Sequence, residues 1–190
     1  MLLELVKTNR SFRRYKESVP ITTEQLTQLV ELARLSPSAA NLQNLRYYLI
    51  SSQKECGQIF PHLKWAGYLR YWDGPVYGER PSAYIIILAP VNTTKFHHID
   101  SGIVAQTMLL GATELGFGGC MLASVDKSAI QEAFLMPLEL EVSLVIAFGY
   151  PAETVVIEDV TDPDDIEYWR DDEGIHHVPK RSLSDLILNV

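Results

Sequence analysis

The chain has 190 residues and a formal net charge of −8 at pH 7, a size that suits one domain with a substantial hydrophobic core. The acidic balance disfavours nucleic acid as a partner, and no stretch approaches the roughly 20 apolar residues of a membrane span. We therefore expect a globular, cytoplasmic protein that does not bind a membrane. Its two cysteines, Cys56 and Cys120, form no CxxC pair and predict neither a disulfide framework nor a metal site.

The N-terminus combines a short predicted helix, 2–7, with a basic cluster, which we define as residues 9–14 (Asn-Arg-Ser-Phe-Arg-Arg). Residues 1–16 contain five basic side chains and one acidic side chain, against the charge of the whole chain. Arginine forks and a serine hydroxyl suit a phosphate or a carboxylate. A basic run can also complement the negative end of a helix dipole in solvent. The cluster alone does not separate these interpretations.

Hydrophobic patterning predicts both helices and strands. Thr22 and Thr23 are candidate N-caps for a helix that ends at Ser36-Pro37, and a continuous apolar run at 83–89 predicts a strand covered on both faces. The other predicted elements are a polar turn (38–44), a strand (47–50), an aromatic loop (61–81), a helix capped by Asp100 or Ser101 and running to Leu115, a strand (119–123), a helix (126–134) and a strand (141–148). This mixture indicates a sheet with helices packed on it.

Two further segments carry weaker signals. The glycines at 116–119 follow a helix and open a strand, the reverse of a dinucleotide-binding loop, so they predict a helix stop and a turn. Residues 153–173 hold ten acidic side chains and one basic side chain, which predicts a solvated surface arm without chemistry. No nucleophile and base can be paired from the sequence, and we assign no catalytic side chain. Such a protein can leave the chemistry to a bound cofactor.

Five motifs follow one another along the chain, at Asn9 to Tyr15, Pro37 to Gln43, Leu115 to Cys120, Phe148 to Pro151 and Lys180 to Leu183. In this order they resemble the motifs of the nitroreductase family of FMN enzymes. The resemblance implies an α+β fold with a central, mostly antiparallel sheet flanked by helices. It also implies a single FMN-binding domain over residues 1–190 and an intertwined homodimer with FMN at the subunit interface.

The same resemblance implies which residues bind FMN. Arg10, Ser11 and Arg13 would hold the phosphate, with Lys180 and Arg181 approaching it. A turn of the partner subunit would lie along the flavin, through its Pro37, Ser38, Ala39, Asn41 and Gln43. Backbone groups at the end of a strand would face the edge of the flavin ring, and these belong to Leu122, Ala123 and Ser124. Trp65 and Tyr68 would shape the substrate pocket, with aromatic core filling as the alternative.

The chain departs from the family pattern at two places. Many relatives carry arginine where this chain has Asn9, and Arg14 could either compensate as a phosphate donor or point to solvent. Many also follow the glutamine of the turn with Pro-Trp, whereas Gln43 precedes Asn44-Leu45 here. The identity of the substrate therefore stays open.

The expected reaction is hydride transfer from NADH or NADPH to FMN, and then from FMN to a small-molecule acceptor such as a nitroaromatic or a quinone, in a ping-pong cycle. One alternative is a flavin-binding carrier or sensor without appreciable turnover. Another is a different flavin reaction on the same fold, such as reductive dehalogenation.

Overall fold

The computed structural model describes residues 1–92 and 96–189. Its main strands are β1 (Arg46–Ile50), β2 (Ala83–Pro90), β3 (Gly118–Leu122) and β4 (Leu140–Gly149). They form one antiparallel sheet in the order β1-β2-β4-β3. The helices are α1 (Leu2–Thr8), α2 (Thr23–Leu35), α3 (Gln53–Ile59), α4 (His97–Glu114), α5 (Lys127–Ala133) and α6 (Leu183–Leu186). Within the described part of the chain, every helix is too short or too polar to span a bilayer.

β2 is the most deeply buried strand of this sheet. Ile85 and Ile87 face an apolar core that they share with α2 and α4, whereas Tyr84 and Ile86 face a second core with α3 and α5. Alternate residues of a strand point to opposite faces. Because both faces are covered here, all four side chains are fully buried. The predicted strand with both faces covered is therefore confirmed, as is the predicted sheet flanked by helices.

α4 begins earlier than the sequence predicts. Asp100 lies inside the helix, and its Oδ1 accepts a hydrogen bond of 2.9 Å from the backbone N–H of Ala39. The predicted cap at Asp100 or Ser101 is wrong, because the helix already begins at His97. The Asp100 carboxylate instead binds the backbone of the 37–43 turn. α4 packs closely on α2 at Gly111, where a Cβ atom would lie 2.3 Å from Cδ1 of Leu32.

The glycines at 116–119 end one element and allow close packing in the next. Gly116 follows α4 with a φ of +85°, a left-handed conformation that glycine adopts without strain. Gly119 lies in β3, where a Cβ atom would come within 2.5 Å of the carbonyl oxygen of Ala147. The predicted helix stop is confirmed.

The C-terminal segment is folded where the sequence predicts a solvated arm. β5 (Val155–Asp159), β6 (Trp169–Arg170) and β7 (His176–Lys180) form a second sheet in the order β5-β7-β6. His176 is fully buried, and the side chain of Glu153 is only 1% exposed. His176 lies beyond the predicted arm, and residues 161–167 of the arm are exposed as predicted. The prediction is wrong for Glu153, because an average charge count hides a carboxylate that is buried and paired.

The basic cluster lies between the edge of β3 and the start of the C-terminal segment. Ser11 pairs with Gly119 as a parallel bridge, and Tyr15 pairs with Pro151 as an antiparallel one. The backbone N–H of Phe12 donates to the carbonyl of Gly119 at 3.1 Å. These backbone contacts fix the direction in which the arginines of the cluster project.

Candidate functional site

The basic cluster and the C-terminal sheet enclose a cavity of about 400 Å³, which we call the cationic cavity. Its polar lining comes from Asn9, Arg10, Ser11, Arg13, Gln106, Tyr168, His176 and Lys180. Three of these residues are cations drawn from the two ends of the chain. Arg181, the remaining predicted phosphate residue, does not line the cavity; its Nη2 lies 3.5 Å from Oδ1 of the exposed Asp164.

Arg10 is held in the wall of the cationic cavity by the preceding helix. Its Nη2 donates a hydrogen bond of 2.7 Å to the carbonyl of Val6, one of the last carbonyls of α1. Burial lowers the pKa of Arg10 from its usual value, but a guanidinium remains charged at any physiological pH. The cavity therefore keeps this positive charge.

Arg13 is held on three sides. Its guanidinium carbon lies 4.7 Å from the centre of the Tyr168 ring, a cation–π contact. Its Nη1 donates to the carbonyl of Ser11 at 3.2 Å and lies 3.2 Å from Nε2 of His176. Residues far apart in the sequence thus define one orientation for this arginine.

Glu153 fixes the backbone of the basic cluster. Its buried carboxylate accepts hydrogen bonds from the backbone N–H of Arg13 and, at 3.0 Å, from that of Arg14. Nη2 of Arg170 donates to the same carboxylate at 2.8 Å. The segment predicted to have no chemistry therefore positions the residues that the resemblance assigns to phosphate binding.

Asn9, where the chain departs from its relatives, and Arg14, which could compensate for it, are both engaged in structural contacts. Nδ2 of Asn9 donates to the carbonyl of Leu109 and to Oγ1 of Thr113, each at 2.9 Å, and so ties the cluster to α4. Nε of Arg14 lies 3.1 Å from Oε2 of Glu79, and Arg14 does not line the cationic cavity. Neither side chain is placed to replace a phosphate-binding arginine.

A second cavity of about 390 Å³, which we call the ring cavity, adjoins the first. Its lining includes Lys64, Trp65, Leu122, Ala123 and Ser124, and it shares Arg13, Met121 and Tyr168 with the cationic cavity. The carbonyl of Ser124 accepts a hydrogen bond of 3.0 Å from the backbone N–H of Lys64, which brings the two segments together. The predicted strand end and Trp65 therefore meet in one cavity.

The two aromatic residues predicted for the substrate pocket have different positions. Trp65 is 8% exposed and belongs to the wall of the ring cavity. Tyr68 is 46% exposed and is not part of that wall. It contacts the ring of Tyr168 edge-to-face, with the ring centres 4.9 Å apart. Tyr68 thus contacts Tyr168, a residue of the cavity wall, but does not line the cavity itself.

The predicted turn at 37–43 lies at a third cavity of about 250 Å³, which shares no lining residue with the other two. Ser38 and Gln43 line it, whereas Pro37 and Asn41 are exposed and do not. Ala40, Asn41 and Gln43 have φ values of +48°, +54° and +52°. Left-handed backbone is strained for residues other than glycine, and such strain concentrates at functional sites.

A family model matches about three quarters of the chain. The model described as the nitroreductase family matches residues 6–150. The chain belongs to the nitroreductase family. The match covers the basic cluster, the 37–43 turn and β3, and it ends before Glu153, Tyr168 and His176.

Individual relatives of this nitroreductase family member align with most of its length. An iodotyrosine deiodinase from Thermotoga neapolitana is 23% identical over 168 residues, 80% of this chain and 89% of the relative. A protein from Methanothermobacter thermautotrophicus, provisionally named NADH dehydrogenase/NAD(P)H nitroreductase, is 28% identical over 177 residues, 88% of this chain and 87% of the relative.

Solved structures share the fold. A protein from Exiguobacterium sibiricum, provisionally named nitroreductase and solved in complex with FMN, superposes with a TM-score of 0.70 at 23% identity, covering 90% of this chain and 97% of that one. At this identity the likeness shows the fold, and the site residues must be argued from this chain's own geometry.

Sequence reasoning missed the residues that hold the backbone or the guanidinium of Arg13 in place, namely Glu153, Tyr168 and His176. The first two lie in the acidic segment, where the abundance of charge conceals them. His176 begins a stretch, His-His-Val-Pro-Lys, with the residue types of a short strand. Strand periodicity there could have indicated that one of the two adjacent histidines faces inward.

Proposed function

We propose that the protein is an FMN-dependent oxidoreductase that takes electrons from NADH or NADPH and reduces a small-molecule acceptor such as a nitroaromatic or a quinone. The observation that carries this proposal is the junction of the cationic cavity and the ring cavity, which share Arg13, Met121 and Tyr168. Such a pair of cavities suits a ligand with an anionic group at one end and a flat ring at the other.

The polar groups around the cationic cavity fit a phosphate. Arg10, Arg13 and Lys180 can only donate hydrogen bonds. Nε of Arg10 and Nε of Arg13 are buried without a hydrogen-bond partner among the described residues. Because buried donors without acceptors are costly, a ligand that brings several anionic oxygens would satisfy this wall.

The ring cavity fits a flavin ring. FMN bound there would supply two-electron chemistry between a nicotinamide and an acceptor. Arg13 would lie near negative charge that develops on the reduced ring, and a fixed cation stabilises such charge. Trp65 and Tyr168 would offer aromatic surface to a flat substrate. No side chain of the site is needed as a general acid or base in this scheme.

The proposal includes a homodimer in which residues 1–190 of each copy form one FMN-binding domain. The 37–43 turn lies at a separate cavity in its own subunit, so it can serve the flavin only from a partner. Large apolar side chains are exposed on α1 and at the C-terminus, among them Leu2, Leu3, Leu183, Leu186 and Leu188. Exposed apolar surface of this kind supports an interface between copies.

A second candidate function is reductive dehalogenation. It is favoured by the relative from Thermotoga neapolitana, which is named iodotyrosine deiodinase and aligns over 80% of this chain. The same FMN site would serve, with a halogenated aromatic as the acceptor. We therefore include iodotyrosine among the acceptors to be tested.

Anaerobic absorbance spectroscopy of the purified, FMN-loaded protein tests both candidates. The yellow protein should bleach with NADH or NADPH and recover its colour with a quinone or a nitroaromatic. Recovery with iodotyrosine and release of iodide would instead favour the second candidate. A protein that takes up no FMN would contradict both, and a yellow protein that neither nicotinamide bleaches would indicate a carrier or a sensor. Analytical ultracentrifugation should show a dimer.

A further inference from the structure

His176 is a buried residue in direct polar contact with Arg13. It opens β7, is fully buried, and its Nε2 lies 3.2 Å from Nη1 of Arg13. A guanidinium has no acceptor, so Nε2 must accept the hydrogen bond. The imidazole must then be neutral, with its proton on Nδ1.

The surroundings of His176 keep it neutral. Burial, the adjacent charge of Arg13 and then the charges of Arg170 and His177 lower its pKa to about 4. The ring of Tyr168 also packs against the imidazole, with the ring centres 5.3 Å apart. At neutral pH the imidazole is therefore available as an acceptor for Arg13.

Arg13 lines both cavities. The orientation of its guanidinium therefore affects the shape and charge of each of them. Tyr168 limits the guanidinium on one face, and the carbonyl of Ser11 and Nε2 of His176 receive hydrogens of the same Nη1. The long arginine side chain would otherwise sample many rotamers. With Nη1 held in this way, the other donors of Arg13 stay free for a ligand.

We propose that His176 is a positioning residue of the cofactor site, which holds the Arg13 guanidinium at the junction of the cationic and ring cavities through its Nε2 atom. The inference rests on the proposed FMN function. It extends the cofactor site into a segment of this chain that the family model does not match, since that match ends at residue 150. His176 acts through Arg13 and does not itself take part in electron transfer.

Two substitutions of similar size separate this role from simple packing. In His176→Gln the side-chain amide can reach the position of Nε2, whereas the shorter side chain in His176→Asn reaches only that of Nδ1. Titration of apoprotein with FMN, followed by flavin fluorescence, should show affinity within about threefold of the parent for His176→Gln. For His176→Asn we expect it about tenfold or more weaker, the order expected for a lost hydrogen bond to a charged group.

A double-mutant cycle tests whether His176 acts through Arg13. In an Arg13→Ala background, His176→Asn should weaken FMN binding by less than about twofold more, because the partner is already gone. Additive losses, or parental affinity of His176→Asn alone, would overturn the inference. Circular dichroism confirms that each variant is folded. If the parent itself binds no FMN, the proposed function fails, which is a distinguishable result.

A measurement on the unmodified protein provides a test that does not depend on the folding of any variant. Nitrogen NMR of the ¹⁵N-histidine-labelled protein at pH 7 should show His176 as the neutral tautomer with the proton on Nδ1. A proton on Nε2, or a doubly protonated ring, would contradict an acceptor role toward Arg13 and overturn the inference.

Discussion

Glu153 and Arg170 form an ion pair of 2.8 Å whose side chains are only 1% and 11% exposed. The pair joins the start of the C-terminal segment to β6, and the same carboxylate accepts the backbone N–H groups of Arg13 and Arg14. A pair of buried charges contributes little net stability, but removal of one partner leaves the other uncompensated. The basic cluster is therefore sensitive to any change at Glu153.

We expect Glu153→Gln to lower the free energy of unfolding by about 3–5 kcal/mol, because Arg170 loses its partner in a buried site. Urea denaturation followed by circular dichroism measures the change. Glu31→Gln is the matched control: Glu31 lies only 2.6 Å from Arg34, but both side chains are more than half exposed, and exposed ion pairs contribute little to stability. Equal losses in the two variants would contradict this account.

Substitutions within the basic cluster should separate the two arginines that we propose to bind FMN from Arg14, which lies outside the cationic cavity. Arg10→Ala and Arg13→Ala should each weaken FMN binding about 10-fold to 100-fold, because charge-assisted hydrogen bonds are lost. Arg14→Ala should retain parental affinity, since Arg14 pairs with Glu79 away from the cationic cavity. Equilibrium dialysis with FMN makes the comparison. A loss at Arg14 as large as that at Arg13 would show that the cavity is wrongly assigned.

Lowering the pH should destabilise the protein through His176. Its pKa is about 4 in the folded protein and about 6.5 in an unfolded chain. Between these values the unfolded state binds a proton that the folded state does not, so the free energy of unfolding falls as the pH drops from about 6.5 to about 4. Urea titrations at several pH values should show this slope in the parent. In His176→Gln this contribution should be absent.

His177 should act in the opposite direction. Its Nδ1 lies 2.5 Å from Glu158 and its Nε2 lies 3.2 Å from Asp171, and these hydrogen bonds raise its pKa. Its stabilising contribution is therefore complete below the usual pKa of histidine and is lost as the pH rises through the raised value. The difference in stability between the parent and His177→Gln should shrink with rising pH over that range. A difference that grows would mean that the two carboxylates do not hold the protonated form.

Two glycine substitutions should have opposite effects on stability. Gly111→Ala places a methyl group 2.3 Å from Cδ1 of Leu32, and overpacking of this kind costs about 1–3 kcal/mol. Gly57 lies within α3, and a Cβ atom added there would have no neighbour within 4 Å, so Gly57→Ala should stabilise the protein by up to about 1 kcal/mol through helix propensity. Thermal melts of both variants measure these changes in stability. Stabilisation by Gly111→Ala would show that the side chain of Leu32 can turn away from the added methyl group.

The sequence predicts those parts of the fold that follow local rules. Thr22 caps α2 in a reciprocal capping box with Gln25, and the short apolar run of β2, bounded by prolines at 81 and 90, favours a buried strand. The bounds of α4 were harder to predict, because Asp100 bonds a backbone group 61 positions away and so does not act as a cap.

The candidate site was predictable only in part. The motifs around Arg10 and Arg13 indicated a phosphate site, and the structure places both with Lys180 around one cavity. The contacts that hold these residues in place could not be predicted. The contacts of Glu153 and His176 with Arg13 span 140 and 163 positions of the chain, and no local pattern reports which acidic residue or which histidine is buried.

The long sequence separation between Arg13 and its supports also bears on the order of events during synthesis. The first residues of the cationic cavity leave the ribosome early, but Glu153, His176 and Lys180 emerge only after 140 or more further residues have been made. Contacts of such long range form late and slowly in folding. A nascent chain therefore cannot assemble this cavity, and a prematurely terminated product would lack the cavity even with every earlier motif intact.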